Sequence, residues 1–241
     1  MGSLQLEVLC AYCGRLGADE EDHVIARQFF PAEERYRGGL PKVPCCGRCN
    51  RKKQRVEDGP AVLFQFGHDS NGSRGVLTKR VPKTLSKNRR LHASLRKGLQ
   101  EVLVRHPSSL VVPALGITLS ARELADSYTW FQLVTRGLCC FEFGAPLLAD
   151  HTVHLLRPVD DRFDVFIDLI RNDRRHRTRT FADGEFKYAV AHNDTDGVSL
   201  WFYAFKSINI LALTLAPGCP SDLRSRIAAI EWPAPAGIGL P

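Results

Sequence analysis

The chain has 241 residues, 44% of them apolar, eight cysteines and a formal net charge of +7. That length can bury a real core, as one large or two modest domains. No apolar run reaches the roughly 18 residues of a membrane span, and no cationic head followed by an apolar stretch marks a signal peptide, so a cytoplasmic protein without a membrane partner is expected.

The positive charge sits in one block. Residues 1–60 carry 10 Lys and Arg against 9 Asp and Glu, residues 61–110 carry 10 against 2, and residues 111–241 carry 13 against 15. A basic block of this kind is where a polyanion would lie. In a reducing compartment, paired cysteines read as metal ligands or redox centres before they read as disulfides.

In chain order, residues 4–9 alternate as a short strand that runs into Cys10-Ala-Tyr-Cys13, with Gly14 supplying the turn of a knuckle. Asp22-His23 opens a β-rich segment ending at Pro31, and a loop follows through residue 42. Cys45-Cys-Gly-Arg-Cys49 forms a second knuckle, and a helix dense in Arg, Lys and Gln runs to Asp58, where Gly59-Pro60 is expected to stop it. The order is knuckle, strand, loop, strand, knuckle, helix.

Cys10, Cys13, Cys46 and Cys49 would complete a tetrahedral structural zinc (Zn2+) site, with 32 residues between the pairs. Pairing Cys45 with Cys49 would leave a three-residue gap, so Cys46 is the preferred ligand and Cys45 a packing residue. A lobe of this size with few large apolar side chains buries little, and metal ligation would supply folding free energy directly. Between the pairs, His23 has the chemistry of a general base, since an imidazole titrates near neutrality. Asn50 would meet Asp22-His23 from the start of the helix, and Glu57, two helical turns beyond Asn50, shares its face.

Cys-x-x-Cys, Asp-His-Val-Ile and Cys-x-x-Cys-Asn-x-x-Lys, in this order over about 50 residues, resemble the zinc-containing, treble-clef branch of the HNH (His-Asn-His, ββα-metal) endonucleases, close to its His-Asn-Asn variants. The resemblance implies a metal-dependent nuclease that hydrolyses phosphodiester bonds of nucleic acid, double-stranded DNA before RNA. It makes His23 the general base. Asp22 and Asn50 become ligands of a catalytic divalent ion such as magnesium (Mg2+), with Glu57 a further candidate, and the four cysteines become the zinc ligands. One position departs: the family's central asparagine would fall near Pro41, and no Asn stands between His23 and Cys49. The alternative is a zinc-stabilised nucleic-acid-binding module with an inactive nuclease site.

Beyond the motif, residues 61–66 read as an apolar strand and His68-Asp69 as part of a turn. Residues 85–106 read as an amphipathic helix with a Leu91, Leu95, Leu99, Val102, Leu103 stripe. Its basic face, Arg89, Arg90, Arg96 and Lys97, joins Arg51, Lys52 and Lys53 as candidate nucleic-acid contacts. Ser120 and Glu123 have capping-box spacing and open a helix that Gly137 is expected to end. Cys139 and Cys140 read as buried strand residues, His151 and His154 as strand residues on opposite faces, residues 163–171 as a short helix, and the Arg-rich run 171–179 as a further phosphate contact. Residues 178–190 read as a hairpin with a type I′ turn at Asp183-Gly184, and residues 200–205 as a central strand. A tail follows, with a short helix at 222–230. The fold class is α+β: a zinc-stapled ββα motif (1–60), a basic strand and helix (61–110), a helix-plus-antiparallel-sheet domain (111–216) and a tail (217–241).

Overall fold

A computed structural model describes residues 8–33, 37–66, 71–105, 109–156, 173, 175–193, 197–206, 208–219, 221 and 225. The helix expected at 163–171, all but Ser225 of the one expected at 222–230, most of the strand at 4–9, most of the Arg-rich run before Arg175 and the His68-Asp69 pair lie outside these residues.

The N-terminal lobe follows the order expected from the sequence. The first knuckle turns through Gly14, whose N–H donates to the Cys10 carbonyl at 2.8 Å. Strand β1 (Glu20–His23) then pairs antiparallel with β2 (Lys42–Cys45), Glu20 opposite Cys45 and His23 opposite Lys42. The segment after His23 is a 3-10 turn over Arg27–Phe29 rather than more strand. Helix α1 (Gly47–Leu63) starts at the second knuckle, where the Gly47 N–H donates to the Asp19 carboxylate at 3.1 Å. Gly59-Pro60 does not stop it. Proline removes one backbone donor from the ladder, but Ala61, Val62 and Phe64 beyond it are buried, so packing carries the helix through. Residues 61–66 are therefore the end of α1 and a turn, not a strand.

The stretch after residue 70, where no helix was expected before residue 85, is helical: α2 (Asn71–Lys79) and α3 (Val81–Lys87). The single helix expected over 85–106 is also broken. Asn88 interrupts it and caps α4 (Arg89–Gly98), its side chain accepting the Leu91 N–H at 3.1 Å. At Gly98 the chain turns into β3 (Leu99–Arg105), antiparallel to β4 (Val111–Ile117). Two features drive the switch. A Cβ at Gly98 would overlap the Thr118 carbonyl oxygen, so only glycine lets the strands close there, and the valines at 102, 104, 111 and 112 favour a pleated surface. Leu91 and Leu95 keep the helical stripe and are buried, whereas Leu103 is 75% exposed. Near its base the hairpin walls an apolar cavity of about 570 Å³, lined by Leu99, Leu115 and Ile117 with Phe64, Tyr128 and Phe131.

Helix α5 (Ala121–Phe143) runs past Gly137 and ends at Gly144, which takes the left-handed conformation (φ 72°). Gly137 is a packing position: a Cβ there would come within 3.0 Å of Val24 and 3.2 Å of Tyr12. Cys139 and Cys140 are buried, as expected, but on this helix rather than on a strand. At the start of α5, Glu123 accepts the hydroxyls of Ser120 and, at 2.9 Å, Ser94, tying α4 to α5.

The C-terminal half is an antiparallel sheet in the order β5 (Thr152–Leu156), β9 (Ile208–Leu215), β8 (Val198–Phe205), β7 (Phe186–Asn193), β6 (Arg177–Phe181). The expected hairpin and central strand are both present. The hairpin's connection is longer than a type I′ turn: Phe181 pairs with Phe186, and Ala182, Asp183 and Gly184 between them all have positive φ. One hydrophobic cluster contains Cys10 and Tyr12 of the knuckle, Phe29 and Phe30, Trp130 and Leu138 of α5, and Trp201 and Phe205 of the sheet. The lobe and the sheet thus share a core, and α1 crosses residue 60, where the sequence suggested a boundary.

The broken helix sets a test. Leu91→Ala or Leu95→Ala should cost roughly 2–5 kcal/mol, the usual range for truncating a buried leucine. Leu103→Lys should stay within about 0.5 kcal/mol, as exposed substitutions do. Urea midpoints at unchanged m-value measure both, and a large loss from Leu103→Lys would restore the continuous helical stripe.

Candidate metal centre and the Asp22-His23 cluster

The four cysteines chosen from spacing converge. One ligand atom from each of Cys10, Cys13, Cys46 and Cys49 lies within 4.8 Å of the others, so the group can hold a metal ion such as zinc. Two backbone turns bring them together, and the Cys46 N–H donates to Cys10 Sγ at 3.3 Å, the hydrogen bond that tunes a thiolate ligand. A hydrogen bond with Cys49 holds the Cys10 thiol well below its usual range. Cys45 lies outside the group, and burial pushes its thiol up to about 12, so it stays protonated as a packing residue.

The group is fastened to α5 by Arg136. This buried guanidinium donates to the Tyr12 carbonyl at 2.6 Å, the Leu148 carbonyl at 2.7 Å and the His151 carbonyl at 3.1 Å. Burial lowers its pKa, while the thiols at Cys139, Cys13, Cys49 and Cys10 act in the opposite sense. Gly14 presses on the same loop: with φ +69°, a Cβ there would meet the Leu147 carbonyl oxygen at 2.5 Å.

His23 is the last residue of β1 and is partly exposed. Burial, then Arg27 and Lys42, lower its pKa, so the imidazole is neutral at pH 7 with a lone pair free to take a proton. Asp22, one residue earlier, turns towards α1. Its Oδ2 accepts the Tyr12 hydroxyl at 2.6 Å and stands 2.9 Å from Lys53 Nζ. The same ammonium lies 2.5 Å from Glu57 Oε1 and donates to the His23 carbonyl at 2.9 Å. Burial raises the Glu57 pKa against the pull of Lys53.

Asn50 is not part of this cluster. Its amide donates to Glu20 Oε2 at 2.5 Å and its oxygen accepts from Gln54 at 3.2 Å. The donor set expected for a catalytic divalent ion is therefore not assembled: Asp22 and Glu57 give oxygens to an ammonium, and Asn50 faces Glu20. Among the described residues the four cysteines are the one group of Cys, His, Asp or Glu suited to a metal. Lys53, grouped by sequence with the nucleic-acid contacts, is 1% exposed and belongs to the interior. The spacing carried half a signal for this, because Lys53 and Glu57 stand four residues apart on one helix face, whereas Asp22 is distant in sequence. Tyr12 had no such signal.

The other basic candidates are placed differently. Arg51 is exposed and Lys52 half-buried on the outer flank of α1. Arg89, Arg90, Arg96 and Lys97 are all exposed on α4, opposite buried Leu91 and Leu95. Arg89, Arg96 and Lys97, with His92, border an open cleft of about 760 Å³. On β6, Arg177 and Arg179 are committed to the buried Glu142 carboxylate at 3.4 and 3.0 Å, which leaves less of their charge for phosphate.

Metal analysis of the purified chain should find a single zinc ion. Cys46→Ser or Cys49→Ser should abolish it and lower the melting temperature, because the ligands are shared between folding and binding. Cys45→Ser should leave the metal content unchanged, and loss of metal there would exchange the roles of Cys45 and Cys46. Among the described residues no helix is long and apolar enough to cross a membrane. Comparison of the chain with protein-family models, with curated proteins and with solved structures finds no match.

Proposed function

We propose that the chain is a zinc-stapled nuclease of the HNH kind, acting on the phosphodiester bonds of nucleic acid, with double-stranded DNA the first substrate to test. One observation carries this reading: an antiparallel β1–β2 hairpin and helix α1, joined at a four-thiol centre, hold a neutral, partly exposed His23 at a strand end. The resemblance of the Asp-His and Cys-Asn-x-x-Lys segments to that family supports it. His23 takes the proton from a water that attacks phosphorus in line. Exposed Arg51 and half-buried Lys52 lie on the same helix, and the α4 face adds four further cations that hold a phosphate backbone without reading sequence.

A second reading, a zinc-stapled nucleic-acid-binding module without hydrolysis, is favoured by the closure of Asp22 and Glu57 on Lys53. Incubation with supercoiled plasmid in the presence of Mg2+, Mn2+ or Ni2+ separates the two. Nicking should fall roughly 10²- to 10⁴-fold in His23→Ala, the loss expected for a general base, and its acid limb should lie below the ordinary imidazole pKa because burial and Arg27 favour the neutral ring. Retention of DNA with no cutting under any of these ions selects the binding module.

Either reading requires the basic face. Changing Arg89, Arg90, Arg96 and Lys97 together to Glu should abolish retention in a gel-shift at moderate salt. Single changes should each reduce the slope of log affinity against log salt by about 0.9, the value for one phosphate contact on B-form DNA. Unchanged retention would remove α4 from the interface.

A further inference from the structure

We infer that Lys53 is the resident cation of the Asp22 site, an internal ammonium held where three oxygens converge, and that it excludes a divalent ion from Asp22 and Glu57. The oxygens are Asp22 Oδ2 at 2.9 Å, Glu57 Oε1 at 2.5 Å and the His23 carbonyl at 2.9 Å. Two carboxylates and a main-chain carbonyl are the donor types that bind hard divalent cations. Here they surround Nζ instead.

Three features make this a built site rather than a passing ion pair. The Lys53 and Glu57 side chains are 1% and 5% exposed and that of Asp22 16%, so solvent screens the charge little. The Tyr12 hydroxyl donates to Asp22 Oδ2 at 2.6 Å, and the ammonium lies 5.9 Å from the Tyr12 ring centroid, so the neighbours favour a cation in this place. Lys53 and Glu57 are also one helical turn apart on α1, so the ammonium arrives with the helix and its binding needs no second molecule.

The site has a positional consequence for His23. On one side of the peptide that joins it to Val24, the Pro41 carbonyl accepts the Val24 N–H at 2.9 Å. Lys53 fixes the carbonyl of the residue before Val24. The strand end on which His23 sits is thereby pinned on both sides of its peptide, by Pro41 from β2's side and by Lys53 from α1. The inference does not rest on the nuclease reading, since it concerns only which cation occupies the carboxylates, and of the two readings it favours the binding module.

Manganese titration of the zinc-loaded full chain, followed by electron paramagnetic resonance of free Mn2+, tests it. The unsubstituted protein should show no site sensitive to Asp22→Asn. Lys53→Met, similar in shape but uncharged, leaves the half-buried Asp22 and the buried Glu57 without their cation and should gain one Mn2+ site at least ~10-fold tighter than any in the unsubstituted chain, a difference of one decade in dissociation constant. The gain should vanish in Lys53→Met combined with Asp22→Asn. The inference is overturned if the unsubstituted protein binds one Mn2+ that Asp22→Asn removes, or if Lys53→Met keeps its zinc and its near-ultraviolet circular dichroism yet gains no site. Should Lys53→Met fail to fold, the comparison of the unsubstituted chain with Asp22→Asn decides alone. Plasmid nicking enters none of these readouts, so failure of the nuclease reading and failure of this one are separately visible.

Discussion

The docking of the four-thiol knuckle against α5 is the contact on which the lobe depends. A buried guanidinium is tolerated only when its donors are satisfied and its charge is balanced. Arg136 meets both conditions at once, giving its N–H groups to carbonyls at Tyr12, Leu147, Leu148 and His151 while standing among thiols. A zinc ion on four thiolates would carry net negative charge, and the buried Arg136 guanidinium beside it would offset that charge. Gly137, one residue along the helix, leaves room for Val24 and Tyr12, and Gly14 lets the knuckle approach the loop after α5. The same few residues that gather the four thiols therefore orient the lobe on the rest of the protein.

From that contact the packing runs without a break into the sheet. Phe29 stacks on Trp130 at 4.8 Å and meets Phe205 edge-on at 5.3 Å, while Phe64 at the end of α1 lies 5.6 Å from both Trp130 and Phe131. Aromatic pairs of this geometry add about 0.5–1.5 kcal/mol each beyond the area they bury. Phe29 follows His23 by six residues, and Phe64 closes the helix that carries Asn50, Lys53 and Glu57. The strand end bearing His23 and the helix facing it are thus held to a common aromatic core. A second buried lysine, Lys206, strengthens the join, donating to Gln65 at 2.5 Å and Ser73 at 2.9 Å beside Glu185.

Where local chemistry decided the structure, the sequence was readable. Cysteine spacing located the four-thiol group, alternation located β7, an apolar run located β8, and Leu91 with Leu95 marked the inner face of α4. The misreadings share a cause, the overruling of local punctuation by tertiary contact. Pro60 and Gly137 are breakers by propensity, yet the core on either side of each is worth more than the break costs. The stripe through residues 85–106 fitted a helix in period, but pairing with β4 was available to its second half and Gly98 permitted the turn. Lys53 looked like a surface cation because lysine usually is one, and only the fold brings Asp22 within reach of it.

The alternation of a β-strand gives the Asp-His pair its division of labour. Neighbouring residues on β1 point to opposite faces, so Asp22 is drawn towards α1, into the company of Tyr12, Lys53 and Glu57, while His23 keeps a route to solvent. A carboxylate placed inward needs a cation, and the helix supplies one of its own. An imidazole placed outward and partly desolvated stays neutral and basic, which is the state a proton acceptor requires. The pair is therefore two groups with separate environments. The inward member fixes the geometry of the strand end, and the outward member stays open to solvent.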